Sequence, residues 1–237
     1  MRIVQRAVTA GVVAGLTAGV LAAIAWLSVG GAAPQADAAA DPPPNTEVRT
    51  FAVKVDGKPA GTFTMTAKAD EGTVSITAVA DIQVRQSLVT YKYALQSTEV
   101  WKAGRLVSVD ATANDDGKKH AVKANAVAAG LVVTANGKSM QARGDAISTT
   151  GWVLPDPRAT EVTLLDTEDG SETTVKVKSL GAGTVPVAGQ AIEGQRYQLT
   201  GEGVDTEWWF DGAGRPIYQR MTWDGHKVIL ELTKIAR

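Results

Sequence analysis

Asp56-Gly57, Asp116-Gly117, Asn136-Gly137, Asp169-Gly170 and Asp224-Gly225 punctuate this chain, and each separates runs in which apolar and polar residues alternate. Asp-Gly and Asn-Gly pairs accept the positive φ angles of two-residue hairpin turns, so their recurrence between alternating runs constrains the fold strongly. The clearest run is Thr73 to Val84. Val74, Ile76, Ala78, Ala80, Ile82 and Val84 share one parity, while Thr73, Ser75, Thr77, Asp81 and Gln83 share the other. One apolar and one wet face describe a strand of an antiparallel sheet over a core. Around Asp56-Gly57 the same parity turns Phe51, Val53, Val55, Phe63 and Met65 inward. Beyond Ala40 no stretch carries a 3.6-residue apolar stripe. "KANAVAAGLVV" comes nearest, but Gly130 and the pair Val132-Val133 favour a strand. The expectation is an all-β domain: a strongly curled antiparallel sheet, clamshell-like or an open barrel, of a dozen or so short strands.

The first forty residues are different in kind. Arg2 and Arg6 precede an uncharged stretch from Ala7 to Ala36 rich in Ala, Gly, Val and Leu. Small residues follow at Ala36-Asp37-Ala38 and Ala38-Ala39-Ala40, as a signal peptidase requires. Two readings stay open for residues 1–40: a cleaved signal peptide, or an uncleaved hydrophobic helix anchoring the chain through residues 7–33. Both place the arginines inside and the folded part outside, in the periplasm or beyond. "DPPPN" opens a stiff spacer, 41–47, and the β domain occupies 48–237. Within it, "RGDAISTTGWVLPDPRA" (143–159) alternates poorly and holds two prolines. It connects two hairpin-rich halves, approximately 48–142 and 160–237, and connections of that length often cover a binding mouth.

The two halves echo one another. "TEVWKAGRLVSVDATANDDGKKHAVKAN" and "TEWWFDGAGRPIYQRMTWDGHKVILELTK" share Thr-Glu-x-Trp, Gly-Arg, an extended run, an Asp-Gly and a second run. By parity Tyr91, Tyr93, Leu95, Glu99 and Trp101 face one way, and Glu207 shares a face with Trp209. A carboxylate on an apolar face must be paired, hydrogen-bonded or protonated. A structural ion pair at a sheet edge, with Arg105 or Arg215 just past the turn, is the expectation for both glutamates. The competing reading makes Glu99 or Glu207 a catalytic acid or base, which would need both carboxylates in one cleft.

Composition and motifs close several doors. The 237 residues include no cysteine and carry a formal charge of −1. Disulfides, thiolate catalysis and thiolate metal sites are therefore out, and no electrostatic footprint for nucleic acid exists. His120 and His226 each follow the Asp-Gly of one copy of the echo and read as hairpin surface residues, not as metal ligands. "NGKS" (136–139) lacks the upstream glycine and the helix of a phosphate-binding loop, and no Gly-x-Ser-x-Gly elbow occurs. "DTEDG" (166–170) reads as a solvated turn without the later carboxylates of a calcium loop. No cofactor, metal or catalytic residue is expected.

The order "FAVKVDGKPAGTFTM", "YKYALQSTEVWKAGRLVSVDATANDDGKKHAV", "GWVLP", "LLDTEDGSETTVKV", "YQLTGEGVDTEWWFDGAGRPIYQRM" resembles an uncharacterised family of bacterial exported proteins, one of the domains of unknown function. Its blocks are a strand-Asp-Gly-strand opening, Tyr-x-Tyr…Glu-x-Trp-x-x-Gly-x-Leu, Leu-Asp-x-x-x-Gly, and a closing Trp-Tyr-Asp-x-x-Gly-Arg. Here the last reads Trp209-Phe210-Asp211, with a modest insertion near "GEGVD". The family is similar in turn to the lipid-carrier and lipoprotein-localisation clamshells of the envelope. That likeness is one of fold; the leading expectation, from inward aromatics combined with a long connection, is an exported, non-enzymatic protein that binds an apolar or lipid-like ligand, with Tyr91, Tyr93, Trp101, Trp152 and Trp209 as candidate lining residues. A protein-interaction or structural module of the envelope is the alternative.

Overall fold

The structure, a computed structural model, describes residues 45–86, 89–153, 155–156 and 158–237. The expected signal or anchor segment, and the spacer up to residue 44, lie outside the described residues. Among the described residues no helix is long and apolar enough to cross a membrane.

The strands are β1 (Thr46–Val55), β2 (Lys58–Asp70), β3 (Thr73–Gln86), β4 (Val89–Lys102), β5 (Arg105–Asp115), β6 (Lys118–Val127), β7 (Gly130–Ala135), β8 (Lys138–Ala142), β9 (Ile147–Ser148), β10 (Glu161–Leu165), β11 (Glu172–Val187), β12 (Gln190–Gly201), β13 (Val204–Phe210), β14 (Pro216–Trp223) and β15 (His226–Ala236). β1 begins two residues inside the expected spacer. All belong to one sheet of order β8-β7-β6-β5-β4-β3-β2-β1-β15-β14-β13-β12-β11-β10-β9. Each half is a meander, and the chain's first and last strands form the seam between them, with Val48 opposite Ala236 and Val55 opposite Val228.

Four of the five Asp-Gly and Asn-Gly turns work as expected: Asp56, Asp116, Asn136 and Asp224 take φ of 47 to 50° with glycine following, whereas before Gly170 Asp169 takes no positive φ. Strong curling into a clamshell or barrel is corrected to one open sheet. β8 and β9 follow one another in the chain, yet no ladder joins them. The physical reason lies in β9, which is only two residues long, too short to build a ladder with β8 on its free edge.

Side chains still bring the halves together over one core. Ile76, Ala78, Ala80 and Ile82 are buried on the parity read from the sequence, with Val74 and Val84 packed beside them. Phe51, Val53, Val55, Phe63 and Met65 join them. Tyr91 and Tyr93 on β4 each meet the Trp223 ring of β14, five places away in the sheet, edge-on at 5.4 Å. At the seam Arg49 is wholly buried and fully engaged: it donates to Glu47 Oε1 at 2.6 Å, Asp211 Oδ2 at 2.6 Å and the Pro216 carbonyl at 3.0 Å. Four charged or carbonyl groups thus tie β1 to the turn before β14.

Candidate functional site

Glu99 sits on the inner parity of β4, opposite Ile76 and Val109, and is fully buried. The 143–159 connection covers it. Ser148 Oγ lies 2.8 Å from Glu99 Oε2, Thr150 Oγ1 lies 2.8 Å from Oε1, and the two hydroxyls are 2.8 Å from each other. Trp101 Nε1 donates to Oε2 at 2.9 Å. Three oxygen–oxygen contacts in a ring need three protons, and two hydroxyls supply two. The carboxyl's own proton would complete the ring. Burial accordingly pushes Glu99 above the usual carboxylate range, against the opposing pull of Ser148, Thr150 and Trp101. The expected pairing with Arg105 is corrected: that side chain is exposed beyond the turn, and hydroxyls take its place.

Below this ring a cavity of about 90 Å³ opens between the halves. Val53, Phe63, Ala80, Ile82, Leu95 and Met221 give it apolar walls, while Tyr93, Thr150, Glu168 and Trp223 contribute polar or aromatic groups. Glu168 is placed by its own turn. Asp166 Oδ1 accepts the backbone N–H of Glu168 at 2.7 Å and of Asp169 at 3.3 Å, and Asp169 Oδ1 accepts that of Ser171 at 2.8 Å. Gly170, at φ 75°, docks this turn onto the other half, where a Cβ would lie 2.9 Å from Ala135 Cβ and 3.0 Å from Val133 Cγ1. "DTEDG" is therefore no solvated turn, and Asp166 and Thr167 are buried.

Beside Glu168 stand Asp115 at the end of β5 and His120 on β6. Tyr91 Oη donates to Asp115 Oδ1 at 2.6 Å, and Tyr93 Oη to Glu168 Oε2 at 3.4 Å. Burial is the main force raising both tyrosines, and it raises Glu168 as well. His120 is buried, which corrects its reading as a surface residue: its parity on β6 is inward, alongside Val122 and Ala124. His226 does lie on the surface, its Nδ1 2.6 Å from Asp56 Oδ2.

Glu207 takes a different course. β13 is buried on both faces, with Thr206, Trp208 and Phe210 on one and Glu207 and Trp209 on the other. Glu207 accepts from Trp209 Nε1 at 2.7 Å and Arg220 Nη2 at 2.8 Å, and Arg196 Nε is 4.0 Å away. Its expected partner, Arg215, is corrected to Arg220: Arg215 instead lies over the Trp152 ring at 4.8 Å. Among the described residues the two glutamates share no hydrogen-bond or ion-pair partner.

Of the five aromatic residues singled out in the sequence, Tyr93 lines the cavity with Trp223, whereas Tyr91, which meets the same Trp223 ring, does not line it. Trp101, Trp152 and Trp209 are not among its lining residues. Trp101 serves Glu99, Trp152 is buried under Arg215, and Trp209 lies under Arg196 at 5.2 Å and against Tyr218. Asp115, Ser148, Thr150 and Arg49 carry no reading from the sequence, and His120 and Glu168 are read there only as surface positions. The inward parity of His120 and Arg49 was the available signal; the approach of the 166–170 turn had none.

An all-β module of one large sheet, with a small apolar cavity between two echoing halves, is the class these features define. The chain belongs to the family described as a domain of unknown function, DUF6134, whose model matches residues 51–233. Its fold is similar to the crystal structure of a beta-barrel-like protein of the domain of unknown function DUF1849 from Brucella abortus, with a TM-score of 0.55 and 13% identity, over 81% of this chain and 97% of that one. Among curated proteins none matches.

Proposed function

We propose that this is an exported, non-catalytic protein of the cell envelope that holds the apolar end of a small or lipid-like ligand in the cavity beneath Glu99. The cavity itself carries the reading: its walls are aliphatic and aromatic, and polar groups gather where β4 meets the 166–170 turn. About 90 Å³ suits a short apolar group or a chain terminus. Whole drug-sized ligands occupy roughly 300 Å³ or more, so the remainder of a lipid would stay outside. Export is supported by the charged start, the long uncharged stretch and the small-residue sites of residues 1–40.

The test is native mass spectrometry of the chain expressed with its own N-terminal segment and purified from envelope fractions, with organic extraction of whatever accompanies it. The expected result is a bound apolar species that disappears in Ala80→Phe, which fills the cavity. A clean mass, unchanged by incubation with envelope lipids, overturns the proposal. It would favour the second reading, an interaction module, for which β8 supplies an edge strand of the sheet with Met140 exposed on it.

A further inference from the structure

We infer that Asp115, His120 and Glu168 form a binding site for a divalent transition-metal cation, zinc being the ion this donor set suits best. One ligand atom from each residue falls within 4.8 Å of the others. His120 Nε2 stands 3.7 Å from Glu168 Oε1. That is too long for a hydrogen bond, and close to the ~3.4 Å between two ligands held about 2.1 Å from a tetrahedral ion.

The imidazole is the independent pointer. Its side chain is 8% exposed, and neither Nδ1 nor Nε2 has a hydrogen-bond partner among the described residues. A ring with two dry, unsatisfied nitrogens is costly, and a cation on Nε2 removes half of that cost while using the geometry already present. Charge points the same way. Two carboxylates converge on one imidazole, and among the described residues no lysine or arginine forms an ion pair with either of them. A divalent cation neutralises both.

The surroundings resemble the outer shell of a metal centre. The Tyr91 hydroxyl fixes Asp115, the Tyr93 hydroxyl reaches Glu168, and Asp166 locks the turn that carries Glu168. One imidazole with two carboxylates matches zinc and its first-row neighbours better than calcium or magnesium, which take oxygen ligands. Asp115 and His120 come from one hairpin of the first half and Glu168 from the second, so the ion would fasten the halves to each other. The inference does not rest on the apolar-ligand reading, and its test uses no lipid.

The experiment is calorimetric titration of the full chain, stripped with a chelator, with zinc chloride, alongside thermal melts. Expected are one zinc per chain at micromolar protein, a higher Tm with zinc, and a loss of about tenfold or more in affinity in His120→Gln and Glu168→Gln. Tyr91→Phe, which keeps all three ligands, should weaken binding by about tenfold, and His226→Gln should leave it unchanged. Absence of saturable binding overturns the site, as does wild-type affinity in a folded Glu168→Gln or Tyr91→Phe. Both of these act at positions less buried than His120, so the outcome does not depend on His120→Gln folding.

Discussion

Glu99 and Glu207 stand two residues before a tryptophan whose indole N–H each accepts, at 2.9 and 2.7 Å, and they differ in everything else that touches them. Around Glu99 the 143–159 connection delivers two hydroxyls and no cation, and burial favours the neutral carboxyl. Around Glu207, Arg220 supplies a charge-assisted bond from a neighbouring strand. One motif repeated in one kind of strand has become a buried acid in the first half and half of an ion pair in the second. The strand fixes which way a side chain points, but what arrives from outside the strand decides its charge.

The sharpest way to break this comparison is truncation. Glu99→Ala strands Trp101 Nε1 and both hydroxyls around a new void, and should cost about 3 kcal/mol or more; Glu207→Ala, at a buried position whose partner Arg220 is exposed and can turn to water, should cost less, about 1 to 2 kcal/mol. Urea midpoints of the two variants test it, and equal losses would erase the distinction. A subtler test exploits protonation. Burial raises the folded pKa of Glu99 above its ordinary 4.5, so the folded state binds that proton more tightly than the unfolded chain does. The resulting stability is complete below pH 4.5 and drains away as pH climbs through the raised value. Glu99→Gln keeps the shape of the neutral acid and has no proton to lose. The variant should therefore gain on wild type steadily as urea midpoints are followed from pH 4 to 8, and a constant difference would mean that Glu99 is ionised when folded. The smallest effect is expected from Glu207→Gln, about 0.5 kcal/mol at low salt and less in 1 M sodium chloride, read from the same midpoints at two ionic strengths.

Hairpins were legible in the sequence because they are local: Asp56-Gly57 or Asn136-Gly137 states its turn in two residues, and Val74 to Val84 states its face by parity alone. Parity also put Glu99 and Trp101 on the inner face correctly. It failed where non-local packing rules. β13 is buried on both sides, so alternation says nothing about which face of Glu207-Trp208-Trp209 is the core. Likewise, "DTEDG" has the composition of a wet turn and is buried because Gly170 lets it lie against β6 and β7. The failure of β8 and β9 to pair depends on how few residues of the connection enter the sheet, which no propensity encodes.

Because β1 sits at the middle of the sheet with β15 as its other neighbour, the molecule cannot be finished in the order in which it is made. If the chain becomes available N-terminus first, β1 to β8 can zip hairpin by hairpin, but the inward Phe51 edge stays open until the final strand appears. Joining residue 48 to residue 236 closes nearly the whole β domain into a loop, a late and entropically slow event. For that interval the first half is an adhesive edge in search of a strand, and a chain that loses its last dozen residues would keep that edge permanently.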